Sequence, residues 1–142
     1  MSSPTIELLD WSQGEQALRH IRTQVFIIEQ GVSHAEEWDN LDRGAWHFLA
    51  KVDGLPVACA RLLPAGKLTG MAVMPVFRRR GLGQALLQRV LRQAQEWGWS
   101  QIYLDAQPQA LNFYAKAGFV VEGDTFLDAG IPHRRMRLNL LK

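Results

Sequence analysis

The sequence predicts an α/β domain built on a mixed sheet, with its elements in the order β-α-β-β-β-α-β-α-β-β. Three observations support this prediction. Short apolar runs of strand length alternate with longer stretches in which apolar residues recur every three or four positions. Asp53-Gly54 separates two of these runs and is typical of a two-residue hairpin turn. A length of 142 residues suits one core, so we expect a single domain over residues 1–142.

The first part of the chain is predicted to contain one helix and four strands. Ser12-Gln-Gly-Glu15 resembles a capping box that begins the helix, and Gly31 is expected to end it. Residues 31–45 are polar and acidic without a period and predict a substantial loop. The predicted strands are 6–9, 46–52, 55–63 and 68–74.

The second part alternates between helices and strands. Leu82, Leu86, Val90 and Ala94 have helical spacing, and Gly98 is expected to end their helix. Near the C-terminus apolar and polar residues alternate, which indicates a strand with one exposed face. The predicted elements are helices at 81–97 and 109–117 and strands at 101–106, 119–122 and 135–140.

Charge is balanced overall but unevenly distributed. The formal net charge is +2, which gives little reason to expect a nucleic-acid-binding protein. Basic residues cluster at 78–80 and 134–137, whereas acidic residues concentrate between 29 and 42. This separation suits an enzyme that joins an anionic cofactor to a cationic substrate. The alternative for the acidic residues is an ordinary solvated loop.

The single cysteine and the lack of long apolar runs bear on the cellular compartment of the protein. Cys59 lies in an apolar strand pattern and is expected to be a core residue rather than a nucleophile. One cysteine cannot form an intramolecular disulfide. No apolar run approaches the ~20 residues of a membrane span, and the N-terminus lacks the pattern of a secretory signal. We therefore expect a cytoplasmic protein with no membrane partner.

Residues 68–83 are the most informative segment. An apolar strand meets Pro75, three arginines follow, and Gly81-Leu82-Gly83 leads into a helix. Such a turn directs free backbone N–H groups and the positive end of the helix dipole at one point, which favours a pyrophosphate. The alternative is that the two glycines only permit a tight turn. The segment lacks the Gly-Lys-Ser/Thr of a Walker loop and does not match Gly-x-Gly-x-x-Gly.

Arg78-x-x-Gly81-x-Gly83 resembles the acyl-CoA signature of the GCN5-related N-acetyltransferase (GNAT) superfamily. Val73-x-Pro75 and Asn112-Phe113-Tyr114-x-x-x-Gly118-Phe119 are similar to two further patterns of that family. The resemblance covers nearly the whole chain. It implies a twisted, mixed and mostly antiparallel sheet of six to seven strands flanked by helices. It also implies acetyl-CoA as co-substrate and no metal.

The resemblance assigns cofactor and acid roles. In the family, a tyrosine at the position of Tyr114 protonates the departing thiolate; packing beside Phe113 in the core is the alternative. Asn112 resembles the residue that binds the pantetheine arm. The implied cofactor-binding residues are Met71, Ala72, Val73, Arg78, Arg79, Arg80, Gly81, Leu82, Gly83, Gln84, Asn112 and Tyr114.

The sequence offers several candidates for the general base that would deprotonate the amine. Some family members use a glutamate on the strand before the pyrophosphate turn, but no carboxylate lies between Leu68 and Arg78. The candidates are Asp105, His133, His47 and Glu29, acting directly or through water. We expect the catalytic set to be Tyr114, His133 and Asp105.

Further residues resemble a smaller branch, the ElaA-like acetyltransferases. The similar residues are Arg22-x-x-Val25-Phe26-x-x-Glu29-Gln30, Asp39-x-x-Asp42, His47 and Gly130-Ile-x-His133. This resemblance implies a polar, negative pocket for a small-molecule or peptide amine, with Glu29, Gln30, Asp42 and His47 as substrate-binding residues. A homodimer through the last strands is a further expectation.

The leading hypothesis is an N-acetyltransferase that acts on a primary amine by direct attack in a ternary complex. A non-catalytic acyl-CoA-binding module of the same fold is the first alternative. A protein acetyltransferase with an open groove is the second. A nucleic-acid-binding module ranks last.

Overall fold

A computed structural model describes residues 3–141, and its elements follow the predicted order. Seven strands are present: β1 Thr5–Leu9, β2 Trp46–Val52, β3 Leu55–Leu62, β4 Leu68–Val73, β5 Gln101–Ala106, β6 Val120–Asp128 and β7 Ile131–Asn139. The α-helices are α1 Trp11–Arg22, α2 His34–Glu37, α3 Leu82–Glu96 and α4 Leu111–Lys116. A π-helix, Thr23–Glu29, continues α1, and short 3-10 turns cover Asp42–Gly44, Pro75–Phe77 and Pro108–Ala110.

The strands form two antiparallel sheets rather than one continuous sheet. The first has the order β1-β2-β3-β4 and the second the order β5-β7-β6. Within residues 3–141, the parallel contact between them is an isolated bridge from Lys67 to Tyr103. Because β4 and β5 pair only there, their remaining lengths leave a gap between the sheets. The predicted mixed, mostly antiparallel architecture of six to seven strands is confirmed in this split form.

Helices cover both faces of the first sheet. The apolar stripe of α3, which includes Leu86 and Val90, packs on Phe48, Ala58 and neighbouring side chains. On the opposite face, Leu18 and other α1 residues pack on Leu49 and Cys59. Burial from both sides explains why β3 is apolar almost throughout instead of alternating. It also buries Cys59, as predicted, and desolvation raises the pKa of its thiol to about 12.

The start of α1 differs from the prediction. Asp10 is the N-cap: its carboxylate accepts from the backbone N–H of Gln13 at 2.8 Å, and the Gln13 amide oxygen accepts from the Asp10 N–H at 2.9 Å. The predicted capping box from Ser12 to Glu15 is therefore wrong by two residues. Asp10 lies between β1 and the helix, where its side chain can accept from the free N–H groups of the first turn. Ser12 already lies inside the helix and cannot be its N-cap.

The β6–β7 hairpin is longer than predicted. Strand β6 continues to Asp128 because the ladder resumes after an irregularity between Glu122 and Phe126, where Gly123 has a φ of +75°. That irregularity breaks the alternation on which the sequence prediction depended. The predicted loop at 31–45 likewise contains α2 and a 3-10 turn.

Candidate active site

The gap between β4 and β5 forms a cavity of about 570 Å³. Its lining comes from the end of the π-helix, strand β4, the turn before α3, strand β5 with its connection to α4, helix α4 and the β6–β7 hairpin. These segments are far apart in sequence and meet only because the two sheets diverge. The predicted site residues that line the cavity are Glu29, Gln30, Met71, Arg78, Asp105, Tyr114 and His133.

The turn before α3 has the geometry expected of an anion site. Gly81 caps α3 with a φ of +78°, and no side chain caps the free N–H groups of the first turn. Arg79 also has a positive φ, +63°. A Cβ on Gly83 would lie 3.5 Å from the Phe113 ring, in the space beside the helix start. The turn therefore presents unpaired N–H groups with little side-chain cover.

The side chains of several other predicted cofactor-binding residues do not line the main cavity. Leu82 and Ala72 are buried in the two core clusters, so only their backbones are available to a ligand. Gln84 lines a separate groove of about 260 Å³ between α3 and α4. Asn112 is exposed on α4 and does not line the main cavity. The cofactor roles of these residues stay predictions.

Tyr114 reaches the cavity from α4 and is 8% exposed. Phe113 and Phe119 contact its ring edge-on, with centroid separations of 5.0 and 5.8 Å. Burial raises the pKa of its hydroxyl to about 12. The phenol is therefore fully protonated at neutral pH and available as a hydrogen-bond donor.

Asp105 lies on β5 and ties the two sheets together. Its carboxylate accepts from Arg135 Nε at 2.9 Å and from Lys67 Nζ at 3.0 Å. Burial alone would raise the pKa of this carboxyl, but the hydrogen bonds and charges of Arg135 and Lys67 outweigh burial and lower it. Asp105 is thus a weak base that holds the closed end of the gap.

His133 has a defined tautomer. Its Nδ1 lies 2.7 Å from the carbonyl oxygen of Ile131, and its ring stacks on Phe126 with a centroid separation of 6.1 Å. A carbonyl oxygen only accepts, so Nδ1 carries the proton in the neutral ring. The lone pair is then on Nε2, and the side chain lines the cavity. This arrangement leaves His133 able to accept a proton.

Glu29 and Arg78 form a bidentate ion pair at the cavity. Arg78 Nη1 and Nη2 each donate to one oxygen of Glu29 at 2.6 Å. The hydrogen bond from Arg78 lowers the pKa of Glu29. Beside this pair, Gln107 Nε2 donates to Gln30 Oε1 at 3.1 Å and connects the π-helix to the end of β5.

Asp42 and His47 lie outside the cavity. Asp42 Oδ1 accepts from Arg22 at 2.6 Å and from Arg61 at 3.0 Å, and His47 Nε2 lies 2.9 Å from the Asp42 carbonyl oxygen. Burial lowers the pKa of His47, which is 1% exposed. The structure therefore brings Asp42 and His47 together in a buried network, away from Glu29 and Gln30. Their predicted substrate role stays untested.

Sequence reasoning missed three groups. Arg61 completes the buried network, where it also pairs with Asp39 at 2.9 Å. Lys67 holds Asp105 at the closed end of the gap. Asp128 lines the cavity and has no ion-pair partner within residues 3–141. The Asp128-Ala-Gly130 turn was a visible signal for a hairpin tip, but the prediction ended β6 six residues earlier.

A second cavity of about 270 Å³ adjoins the first. The two share Phe26, Thr69, Asp128 and neighbouring residues, so the space between the sheets continues towards the acidic loop. Glu36, Glu37 and Asp39 line this extension. The acidic segment recognised in the sequence thus reaches the site from one side.

The described residues lack two features that would indicate other classes of protein. Across residues 3–141, no group of three or more histidine, cysteine or carboxylate side chains is placed to hold a metal ion. No helix in the same range is long and apolar enough to cross a membrane.

Comparison with known proteins identifies the family. The model of the "Acetyltransferase (GNAT) domain" matches residues 12–140. The uncharacterized N-acetyltransferase YjcF of Bacillus subtilis is 36% identical over 82% of this chain and 86% of its own length. The crystal structure of an acyl-CoA N-acyltransferase from Pseudomonas aeruginosa aligns with a TM-score of 0.85 and 30% identity, over 95% of this chain and 99% of that one.

The Escherichia coli protein ElaA matches in both sequence and structure. It is 28% identical over 89% of this chain and 88% of its own length. Its crystal structure aligns with a TM-score of 0.85 over 95% of this chain and 99% of that one. The chain belongs to the GNAT acetyltransferase family, and within that family it resembles the ElaA-like branch, as the sequence indicated. Family membership supports an acyl-transfer function.

Proposed function

We propose that this protein is an acetyl-CoA-dependent N-acetyltransferase that acts on a primary amine by direct attack in a ternary complex. The observation that carries the proposal is the meeting of Tyr114 and His133 at one cavity. One is a protonated donor and the other has a free lone pair on Nε2. Aminolysis of a thioester needs a proton removed from the nucleophile and negative charge stabilised on the leaving group.

The residues at the turn fit a pyrophosphate. The uncapped N-terminus of α3 and the open space beside the left-handed Gly81 offer backbone N–H groups to an anion. Arg79 and Arg80 add positive charge next to these groups. Within residues 3–141, strand β4 has no ladder partner on its β5 side beyond Lys67, so the backbone near Met71 is available for an extended arm, whereas the Val73 carbonyl oxygen accepts from Arg78. When bound there, acetyl-CoA supplies the thioester carbonyl.

His133 is the best-placed base among the candidates. An alkylammonium pKa of about 10.4 leaves little free amine at neutral pH, so proton removal matters. Asp105 is held by two cations and Glu29 by Arg78, whereas His47 is buried elsewhere. Among these candidates, His133 lines the cavity without an ion-pair partner in the described chain, and its Nε2 carries the lone pair of the neutral ring.

Tyr114 acts by donating a hydrogen bond to the developing thiolate. A thiol pKa of about 8.5 lies well below the pKa of about 12 for Tyr114. Complete proton transfer would therefore be uphill by roughly 5 kcal/mol, at about 1.4 kcal/mol per pKa unit. A hydrogen bond stabilises the leaving group without that cost, and solvent then supplies the proton.

The acceptor side favours a cationic amine. Glu37 and Asp39 in the adjoining cavity are paired with Arg22 and Arg61, which line it too, so Asp128 and Glu36 are the lining carboxylates without an ion-pair partner in the described chain. A site with this charge attracts an ammonium group before its proton is removed. A combined volume typical of small-molecule sites suits a small amine or one side chain of a peptide.

A non-catalytic acyl-CoA-binding module is the second candidate. It is favoured by the state of Glu29 and Asp105, because both of these cavity carboxylates are ion-paired and neither is free to act as a base. Such a module would bind acetyl-CoA without turnover.

The test is release of the CoA thiol from acetyl-CoA with polyamines, amino sugars, amino acids and lysine peptides. Tyr114→Phe serves as the matched variant because it removes only the hydroxyl. Turnover with one amine class, reduced roughly tenfold or more in Tyr114→Phe, supports the proposal. Binding of acetyl-CoA without turnover on any amine favours the module. Absence of acetyl-CoA binding by calorimetry rejects both.

A further inference from the structure

The fork between Arg78 and Glu29 assigns Arg78 to the acceptor side of the site. We propose that Arg78 is a positioning residue: it holds the Glu29 carboxylate at the cavity as a charge-neutralised hydrogen-bond acceptor for the substrate amine, and it is not a phosphate ligand. This inference rests on the proposed N-acetyltransferase function. It differs from the role that the signature Arg-x-x-Gly-x-Gly implies for this position.

The hydrogen-bond donors of Arg78 all point away from the predicted phosphate turn to Glu29 and Val73. Nη1 and Nη2 donate to the two oxygens of Glu29 at 2.6 Å, and Nε donates to the carbonyl oxygen of Val73 at 3.0 Å. All three guanidinium nitrogens are thus engaged by the end of the π-helix and the end of β4. A planar fork with two parallel hydrogen bonds sets the orientation of a carboxylate more strictly than a lysine would.

Arg78 and its neighbour Arg79 occupy different places relative to the cavity. Arg78 and Glu29 both line the cavity, whereas Arg79 does not. Arg79 has a positive φ in the turn that leads to the uncapped α3 N-terminus. The arginines of this run therefore divide by location, with Arg78 at the cavity and Arg79 at the predicted phosphate turn.

Pairing with Arg78 changes how the Glu29 carboxylate would act on the substrate amine. A lone carboxylate beside the substrate would stabilise its ammonium form and oppose the deprotonation that attack requires. A carboxylate that already carries an arginine on one edge still has lone pairs on its other edge. It can orient an amine N–H while adding almost no net charge. The pair therefore supplies recognition without trapping the amine as a cation.

The other titratable groups at the cavity, which include the unpaired carboxylate of Asp128, are the same in the wild-type protein and in variants of the pair. Lys67 and Asp105 are paired with each other, and Tyr114 remains neutral at neutral pH. Asp128 and His133 lie on the β6–β7 hairpin. Replacing one member of the Glu29–Arg78 pair therefore changes the local charge by one unit in a known direction.

The test compares Arg78→Gln, Glu29→Gln and the double variant, assayed at low salt with the best amine. In Arg78→Gln the uncompensated Glu29 raises the pKa of the reacting amine and base, so the midpoint of the kcat–pH profile moves up. In Glu29→Gln the uncompensated Arg78 moves it down. We expect shifts of about half a unit for these partly exposed groups. The double variant returns to the wild-type midpoint, while the KM for the amine rises roughly tenfold or more in all three.

Binding of acetyl-CoA, measured by calorimetry, separates the alternatives. Arg78→Gln should keep the wild-type Kd within about threefold, whereas Arg79→Gln, on the phosphate side, should weaken binding roughly tenfold. Arg78→Lys is the conservative variant, because it keeps the positive charge but loses the bidentate hydrogen bonding to Glu29. The midpoint of the kcat–pH profile should therefore stay at the wild-type value, while the KM for the amine rises. Melting temperatures show whether each variant is folded.

Two outcomes would overturn the inference in different ways. If wild-type protein binds and uses acetyl-CoA but Arg78→Gln loses affinity as Arg79→Gln does, with no midpoint shift, Arg78 is a phosphate ligand and only this inference fails. If the wild-type protein does not bind acetyl-CoA or turn it over, the proposed function fails and the inference fails with it.

Discussion

Arg22 and Asp42, twenty residues apart, form a buried ion pair in which Nη1 and Oδ1 are separated by 2.6 Å. Arg22 also contacts Glu37 at 2.6 Å, and Asp42 also accepts from Arg61 at 3.0 Å. The network anchors α1, the acidic loop and β3 to one another. It thereby sets the direction in which the π-helix brings Glu29 and Gln30 to the cavity.

Replacing Asp42 with Asn should destabilise the protein strongly. The change removes the negative charge between two buried guanidinium groups, and breaking a buried pair in this way typically costs about 3–5 kcal/mol of the free energy of unfolding. Urea unfolding at pH 7 measures the loss. The control is Glu15→Gln, which removes the exposed pair with Arg19 and should cost no more than about 0.5 kcal/mol. Equal effects from the two variants would contradict a structural role for Asp42.

Asp105 should make the protein acid-sensitive. Its folded-state pKa lies below the ordinary value of 3.8, so the folded state holds this proton less tightly than the unfolded state. The stabilisation is fully present above pH 3.8 and is lost as the pH falls through the folded-state pKa. Asp105→Asn should therefore be less stable than wild type at pH 6, with a smaller further loss between pH 4 and pH 2.

The measurement for Asp105 is a series of urea unfolding curves across pH 2–6. Asp39 and Glu29 also have lowered pKa values, so the wild-type slope will not vanish in the variant but should become shallower. An unchanged slope in Asp105→Asn would show that its pairing with Lys67 and Arg135 does not persist in solution.

Removing the His133 imidazole should reduce turnover more than binding. A general base typically contributes about 10²- to 10⁴-fold, so His133→Gln should lower kcat by at least about 100-fold while acetyl-CoA affinity stays near wild type. His20→Gln, on the exposed side of α1, is the control and should behave as wild type. A His133→Gln enzyme with near-normal kcat would indicate proton loss through water instead.

The two glycines of the turn should respond differently to alanine. Gly81 has a φ of +78°, so Gly81→Ala should cost about 1–2 kcal/mol of stability. Gly83 lies inside α3, and its added Cβ would meet Phe113 at an ordinary 3.5 Å, so Gly83→Ala should leave stability equal or slightly higher. Both should weaken acetyl-CoA binding in calorimetry: the Gly81 methyl group enters open space at the predicted phosphate turn, and the Gly83 methyl group fills the gap between the start of α3 and Phe113. Unchanged affinity in Gly83→Ala would remove the argument for close approach at that residue.

Much of the architecture was predictable from local patterns. The order of strands and helices, the α3 stripe and the turn at Gly81 follow from periodicity and from glycine placement, which depend on neighbouring residues. The errors arose where non-local contacts decide the outcome. Strand β6 was predicted too short because pairing with β7 carries it past the irregularity at Gly123. The α1 cap was misplaced because Asp10 reaches the helix from the end of β1.

The candidate site, like the fold, was predictable from the sequence only in part. The residues similar to the ElaA-like branch looked like one substrate pocket in the sequence. The structure separates them into a buried network at Asp42 and His47 and a cavity face at Glu29, Gln30 and His133. Charge and spacing along the chain cannot distinguish these places, because burial depends on which element packs above each side chain.

By itself, the sequence determined the class of protein: its family, its fold order and the residue types available for acyl transfer, all of which reside in local motifs. The tertiary structure alone decided which of those residues share one cavity. The divergence of β4 from β5 beyond the Lys67–Tyr103 bridge opens that cavity, and no local pattern along the chain specifies where the two sheets separate. Ion pairing then decided which groups remain free, since Asp105 and Glu29 are neutralised by partners at least 30 residues away and His133 is not.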